Sequence, residues 1–109
     1  MLNTVCHHSI MEFYTYILAS KPRGTLYIGI TRDLETRVYQ HKTKAMKGFT
    51  ARYDVHILVY FETFDTPQDA IAREKTLKHW NRAWKIALIE KHNPLWKDYF
   101  LEWFPGVSQ

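Results

Sequence analysis

Aromatic and β-branched residues crowd two short runs, FYTYILAS (13–20) and TLYIGI (25–30), separated by KPRG, whose proline and glycine supply turn chemistry. The pattern predicts a β-hairpin. Tyr16 and Tyr27 stand four or five residues outside the turn on either side, so antiparallel pairing sets them opposite or nearly opposite, on one face if the register is even. The period then changes. TRDLETRVYQHK (31–42) opens with Thr31 and Asp33 as candidate caps and reads as a helix to Lys42. With Leu34 at the zero angle, Val38 falls at about 40°, His41 at about 340° and Arg37 at about 300°. Two polar groups therefore border the core-facing stripe.

A polar, glycine-containing loop follows from Lys44 to Arg52, and HILVYFETF (56–64) is a third strand, apolar enough to be central. Thr66 as N-cap, Pro67 at the first helical position and Asp69 in the capping-box place start a helix over 67–79. Its apolar stripe is Ala70, Ile71 and Leu77, with Glu74 between them on the wheel. Asn81 caps a further helix over 82–92, which Asn93 and Pro94 end. The aromatic tail LWKDYFLEWFPGVSQ packs back on the domain before fraying. The order of elements is that of an α/β (α+β) domain, and there are no internal repeats or low-complexity segments.

With 109 residues, 46% of them hydrophobic, the chain builds one modest core. Residues 1–10 share no periodicity with the rest and read as a disordered leader, Met11 as the functional start, 11–98 as the domain and 99–109 as its aromatic C-terminal tail. No run approaches the roughly 20 apolar residues of a membrane span, and the N-terminus has no secretory pattern. A cytoplasmic protein is expected. The lone Cys6 has no partner for an internal disulfide, and Cys6, His7 and His8 are adjacent residues of poor metal-binding geometry. The net charge of +4 is mild. Its basic residues bunch in 41–52 and 73–85, beside Phe49, Tyr53, Trp80 and Trp84, which fits either solvated surfaces or a nucleic-acid footprint.

Glu74 is the most informative single residue, because an ionised carboxylate among Ala70, Ile71 and Leu77 costs several kcal/mol unless a cation or donors meet it. It pairs with Arg37 or a neighbouring lysine, or it ligates a metal, since one carboxylate with several waters is how Mg²⁺ is held beside phosphate. Arg37 presents the planar fork that suits phosphate. His41, one turn on, can orient water or accept a proton. Tyr14, Tyr16 and Tyr27 are core packing or site residues, and Asn93 taken alone is a helix stop.

Taken in this order and spacing, the residues resemble the GIY-YIG nuclease domain, and within it the small stand-alone bacterial (UPF0213-like) members. The resemblance runs from Phe13 to Asp98. Tyr14-Thr15-Tyr16 stands where the family has its first tripeptide, Tyr27-Ile28-Gly29 matches the second outright, Arg37 and His41 keep the Arg-x-x-x-His/Tyr spacing, AIAREKTLK surrounds the acidic Glu74, and Asn93 lies near the end of the last helix. The first tripeptide departs from the pattern, with Tyr14 for glycine and Thr15 for isoleucine.

The resemblance implies a three-stranded antiparallel sheet flanked by helices and an endonuclease that hydrolyses phosphodiester bonds with one divalent metal. Glu74 would hold Mg²⁺ or Mn²⁺, and Arg37 would meet the charge growing on the phosphate. Tyr27, with Tyr16 and His41, would position and deprotonate the attacking water, Tyr27 being the favoured base. Asn93 would brace the site by hydrogen bonding. Lys42, Lys44, Lys47, Arg52 and Lys78 would contact nucleic acid, DNA in preference to RNA, in repair or recombination. The alternatives are a non-catalytic nucleic-acid-binding module of the same fold and a scaffold in which Glu74 and Arg37 neutralise each other. A protein partner or a homodimer would supply selectivity.

Overall fold

Alternating aromatic and β-branched side chains form β1 (Phe13–Ala19) and β2 (Leu26–Thr31) in the computed structural model, which describes residues 12–106. The leader, Met11 and the Cys6, His7, His8 group lie outside the described residues. The hairpin register pairs Tyr16 with Gly29 and Leu18 with Tyr27. Tyr16 and Tyr27 are thus diagonal neighbours on one face of the sheet, as an even register requires.

A third strand, β3 (Ile57–Phe64), pairs antiparallel with β1 and gives the order β2-β1-β3. The sequence reading expected this apolar run to be central, but it is an edge. Its edge is partly covered, which explains the composition: Asp98 Oδ1 accepts from Leu58 N–H at 3.3 Å and Asn93 Nδ2 donates to Val59 O at 3.0 Å.

Helix α1 (Leu34–Lys42) begins at Asp33, whose side chain accepts from Thr36 N–H at 3.2 Å. The expected loop 44–52 contains a single helical turn, α2 (Phe49–Arg52), with Thr50 buried. Helix α3 (Pro67–His79) starts at Thr66, whose Oγ1 accepts from Asp69 N–H at 3.2 Å, and α4 (Arg82–His92) at Asn81, which accepts from Trp84 N–H at 2.9 Å. The aromatic tail forms α5 (Tyr99–Trp103), with Phe100 in the core.

The sheet separates two hydrophobic layers. Tyr16, Leu18 and Leu58 pack with Leu34 and Val38 of α1 and Phe100 of α5, while Ile17, Ala19, Ile28 and Val59 pack with Leu77 of α3 and Ile89 of α4 on the other face. Helix α3 is rotated from the expected stripe: Ala70 and Leu77 are buried, but Ile71 is 37% exposed. Thr15 Oγ1 fixes that rotation by donating to Ala70 O at 2.9 Å, and Arg73 is drawn toward β3 by Glu62, with N–H···O distances of 3.0 to 3.2 Å.

Candidate active site

Gly29 is where the two tyrosines meet. A Cβ there would lie 2.6 Å from Tyr16 Oη, 2.7 Å from Tyr16 Cζ and 3.1 Å from Tyr27 Cε2. The bare backbone of β2 therefore makes room for the Tyr16 ring, which is fully buried and has nowhere to turn. We expect Gly29→Ala to cost about 1–3 kcal/mol by overpacking, seen as a lower urea midpoint at unchanged slope. Wild-type stability in that variant would mean that the Tyr16 ring moves freely.

Onto this face α1 delivers His41, which is 2% exposed. Its Nε2 lies 3.3 Å from Tyr16 Oη and its Nδ1 2.8 Å from Thr50 Oγ1. The Tyr27 ring stands 5.5 Å from the imidazole and 6.4 Å from the Tyr16 ring, and Phe49 of α2 stacks 6.3 Å from Tyr27 at 28°. Arg37, half-buried one turn before His41, interacts with both. Burial pushes the Tyr16 phenol above its usual range, with Tyr27 adding to the rise; Arg37 pulls it back by charge and hydrogen bonding, and Glu74 raises it again. His41 is lowered from 6.5 to about 4, first by burial and then by the Arg37 charge. The imidazole is neutral at pH 7.

That neutrality carries a stability signature. Between pH 6.5 and 4 the unfolded chain binds a proton that the folded imidazole refuses, so the contribution is complete above about pH 6.5 and is lost as pH falls toward 4. By pH 4.5 the loss is about 2–3 kcal/mol. Urea unfolding at pH 7 and pH 4.5 should therefore show a smaller acid penalty in His41→Gln than in the wild type, and equal penalties would refute the assignment.

Glu74 stands on α3, which packs against β1 and β2. Its side chain is 18% exposed and its Oε2 lies 3.0 Å from Lys78 Nζ. Of the two cations the sequence offered, the neighbouring lysine is the partner. The Glu74 charge still reaches the Tyr16 hydroxyl, which places the carboxylate near the tyrosine pair. Beside them opens a cleft of about 310 Å³ lined by Leu26, Tyr27, Ile28, Phe49, Lys78 and Lys85. Two larger clefts, about 660 and 490 Å³, flank Phe61 and Trp103; of the candidate site residues read from the sequence only Tyr14 lines them, in the second.

The structure thus gathers Tyr16, Tyr27, Arg37 and His41, with Glu74 close by. Two expected members are placed elsewhere. Lys42 faces inward: its side chain is 5% exposed, ion-paired to Asp98, and donates to His56 O at 3.0 Å. Asn93 braces the frame and not the site, for its Nδ2 donates to Val59 O and Lys97 O at 3.0 Å and its Oδ1 accepts from Lys97 N–H at 3.0 Å. Lys47 and Arg52 are exposed, as is Lys44, which sits 3.4 Å from Asp54. Phe49, Lys85 and Thr50 join the site without having been singled out for it. The first two lay in the basic, aromatic bunches; Thr50 carried no signal, because its burial depends on the turn of α2.

Among the described residues no three His, Cys, Asp or Glu side chains cluster to hold a metal ion. A single half-buried carboxylate beside a cleft is the donor set for a cation that keeps most of its waters, so Glu74 fits Mg²⁺ or Mn²⁺ in that mode and not in a protein cage. No helix among the described residues is long and apolar enough to cross a membrane.

A family model described as the GIY-YIG catalytic domain matches residues 12–87. The UPF0213 protein SSP2268 of Staphylococcus saprophyticus is 36% identical over 80 residues, covering 73% of this chain and 96% of the relative. The UPF0213 protein of Pediococcus pentosaceus is 40% identical over 84 residues, covering 76% and 86% respectively. Among solved structures, the solution NMR structure of the UPF0213 protein BH0048 from Bacillus halodurans superposes with a TM-score of 0.53 at 25% identity, covering 84% of this chain and 96% of that one.

Proposed function

The chain belongs to the GIY-YIG catalytic domain family, and from that premise we propose that it is a divalent-metal-dependent endonuclease hydrolysing phosphodiester bonds in nucleic acid, DNA in preference to RNA. The observation that carries this reading is the meeting of Tyr16, Tyr27, Arg37 and His41 at one point of the sheet, within reach of the Glu74 charge and beside a cleft whose cations are Lys78 and Lys85.

In this reading Lys78 and Lys85 draw the phosphate backbone into the cleft. Arg37 presents its planar fork of donors to the equatorial oxygens as negative charge builds on them. Tyr16 is a poor base, because it is buried and already bonded to His41. Tyr27 is the half-buried phenol on the cleft wall, so it orients the attacking water and in its ionised form accepts the water's proton. Glu74 would hold Mg²⁺ or Mn²⁺, whose contribution is Lewis-acid polarisation of the scissile phosphate and the leaving 3′ oxygen.

The test is a labelled panel of single-stranded, duplex, flapped and four-way-junction DNA, with RNA beside it, incubated with Mg²⁺, Mn²⁺ or a chelator. We expect metal-dependent cleavage of at least one DNA species, and binding that weakens steeply with added salt. Salt-sensitive binding with no cleavage of any substrate would replace the enzyme by the binding module.

A further inference from the structure

We propose that Thr50 is a positioning residue: its Oγ1 accepts the Nδ1 proton of His41 and so fixes the imidazole as the tautomer whose bare Nε2 holds the Tyr16 hydroxyl. Thr50 is 5% exposed and its hydroxyl is 2.8 Å from Nδ1. The direction of that bond follows from Tyr16. The phenol is fully buried, and the acceptor that the described residues place within reach of its hydroxyl is His41 Nε2, at 3.3 Å. A buried O–H that donates to nothing is costly, so Nε2 accepts. In a neutral imidazole the proton then sits on Nδ1, and Thr50 Oγ1 is the atom that meets it.

The bonds run one way, from Tyr16 to His41 and from His41 to Thr50, with Arg37 lowering the pKa of the Tyr16 phenol by charge and hydrogen bonding. They end on α2, the turn that also carries Phe49 against Tyr27, follows exposed Lys47 and ends at exposed Arg52. One short turn therefore supports both tyrosines of the site, directly through Phe49 and indirectly through Thr50. With valine at position 50 the Nδ1–H has no acceptor, the other tautomer becomes favourable, and the Tyr16 hydroxyl loses its acceptor in turn. Serine keeps the oxygen and the tautomer.

The catalytic consequence rests on the proposed nuclease reading; the tautomer does not, so the two can fail separately. Long-range ¹H–¹⁵N spectra of the full chain, with His41→Gln assigning the ring among the six histidines, should show His41 protonated at Nδ1 in the wild type and in Thr50→Ser. Thr50→Val should move the proton partly or wholly to Nε2 and lower kcat by about tenfold to a hundredfold at little-changed KM, with Thr50→Ser restoring most of it. A wild-type ring protonated at Nε2 overturns the inference, and does so even if Thr50→Val does not fold. An unchanged tautomer in folded Thr50→Val overturns it as well. The expected spectra in a wild type that cuts nothing would uphold the role of Thr50 and defeat the nuclease reading.

Discussion

Replacing Asp98 by alanine should cost about 3–5 kcal/mol of stability, more than Lys42→Met, although neither side chain has a part in the proposed chemistry. The two side chains are 7% and 5% exposed and form one ion pair. Asp98 also accepts from Leu58 N–H at 3.3 Å and from Phe100 N–H at 3.0 Å, while the Lys42 ammonium donates to His56 O at 3.0 Å and lies 5.4 Å from the centre of the Phe100 ring. One carboxylate thus joins the end of α1, the edge of β3 and the start of α5. Removing it strands a buried ammonium and frees the N-terminus of α5, whereas removing the lysine leaves a carboxylate that still accepts two backbone N–H groups. Urea unfolding of Asp98→Ala, Lys42→Met and the double variant checks this. The double variant should lose at least about 1 kcal/mol less than the two single losses added together. Strict additivity would mean that the pair is not coupled.

That latch shows what the sequence concealed. Lys42 belongs to a basic bunch by composition, yet its ammonium is drawn inward by a carboxylate 56 positions later, and no local pattern announces a partner at that distance. Asn93 is similar: it reads as a helix stop, and its amide also pins β3. Hydrophobic period and cap residues, being local, placed the three strands, the helices over 34–42, 67–79 and 82–92, and the shared face of Tyr16 and Tyr27. Facing is less local. Ile71 belongs to the stripe the wheel predicts, but the Thr15 hydroxyl and the Arg73–Glu62 contact set the actual rotation of α3 and leave it 37% exposed. The edge position of β3 was hidden for a related reason, since side chains arriving from Asn93 and Asp98 let an apolar strand sit at the margin of the sheet. Of the candidate site, the grouping of Tyr16, Tyr27, Arg37, His41 and Glu74 was legible because the hairpin and two helix faces aim them. Thr50 was not, because a single helical turn within a polar stretch has no period to read.

Glu74→Ala should lower metal-dependent cleavage by about 100- to 1,000-fold while changing stability by less than about 1 kcal/mol. The second half follows from geometry. Glu74 meets Lys78 one turn along α3, and that ammonium is 52% exposed; such pairs contribute about 0.3–0.5 kcal/mol. A carboxylate kept for stability would be expected to hold a better-buried cation, as Asp98 does, so this weak pairing leaves Glu74 available to something else. The variant also releases Lys78 into the cleft it already lines, so nucleic acid should bind as tightly as before or tighter. A loss of catalysis together with undiminished binding is therefore the specific expectation, and the isosteric Glu74→Gln should reproduce it without a change of shape. Mn²⁺ titration followed by electron paramagnetic resonance, in the presence of an uncleaved oligonucleotide, supplies the independent reading: wild type should retain ions that both variants leave free. If either variant instead lowers stability by more than about 2 kcal/mol and retains the ions, Glu74 is a structural charge and the metal must be sought at other oxygens.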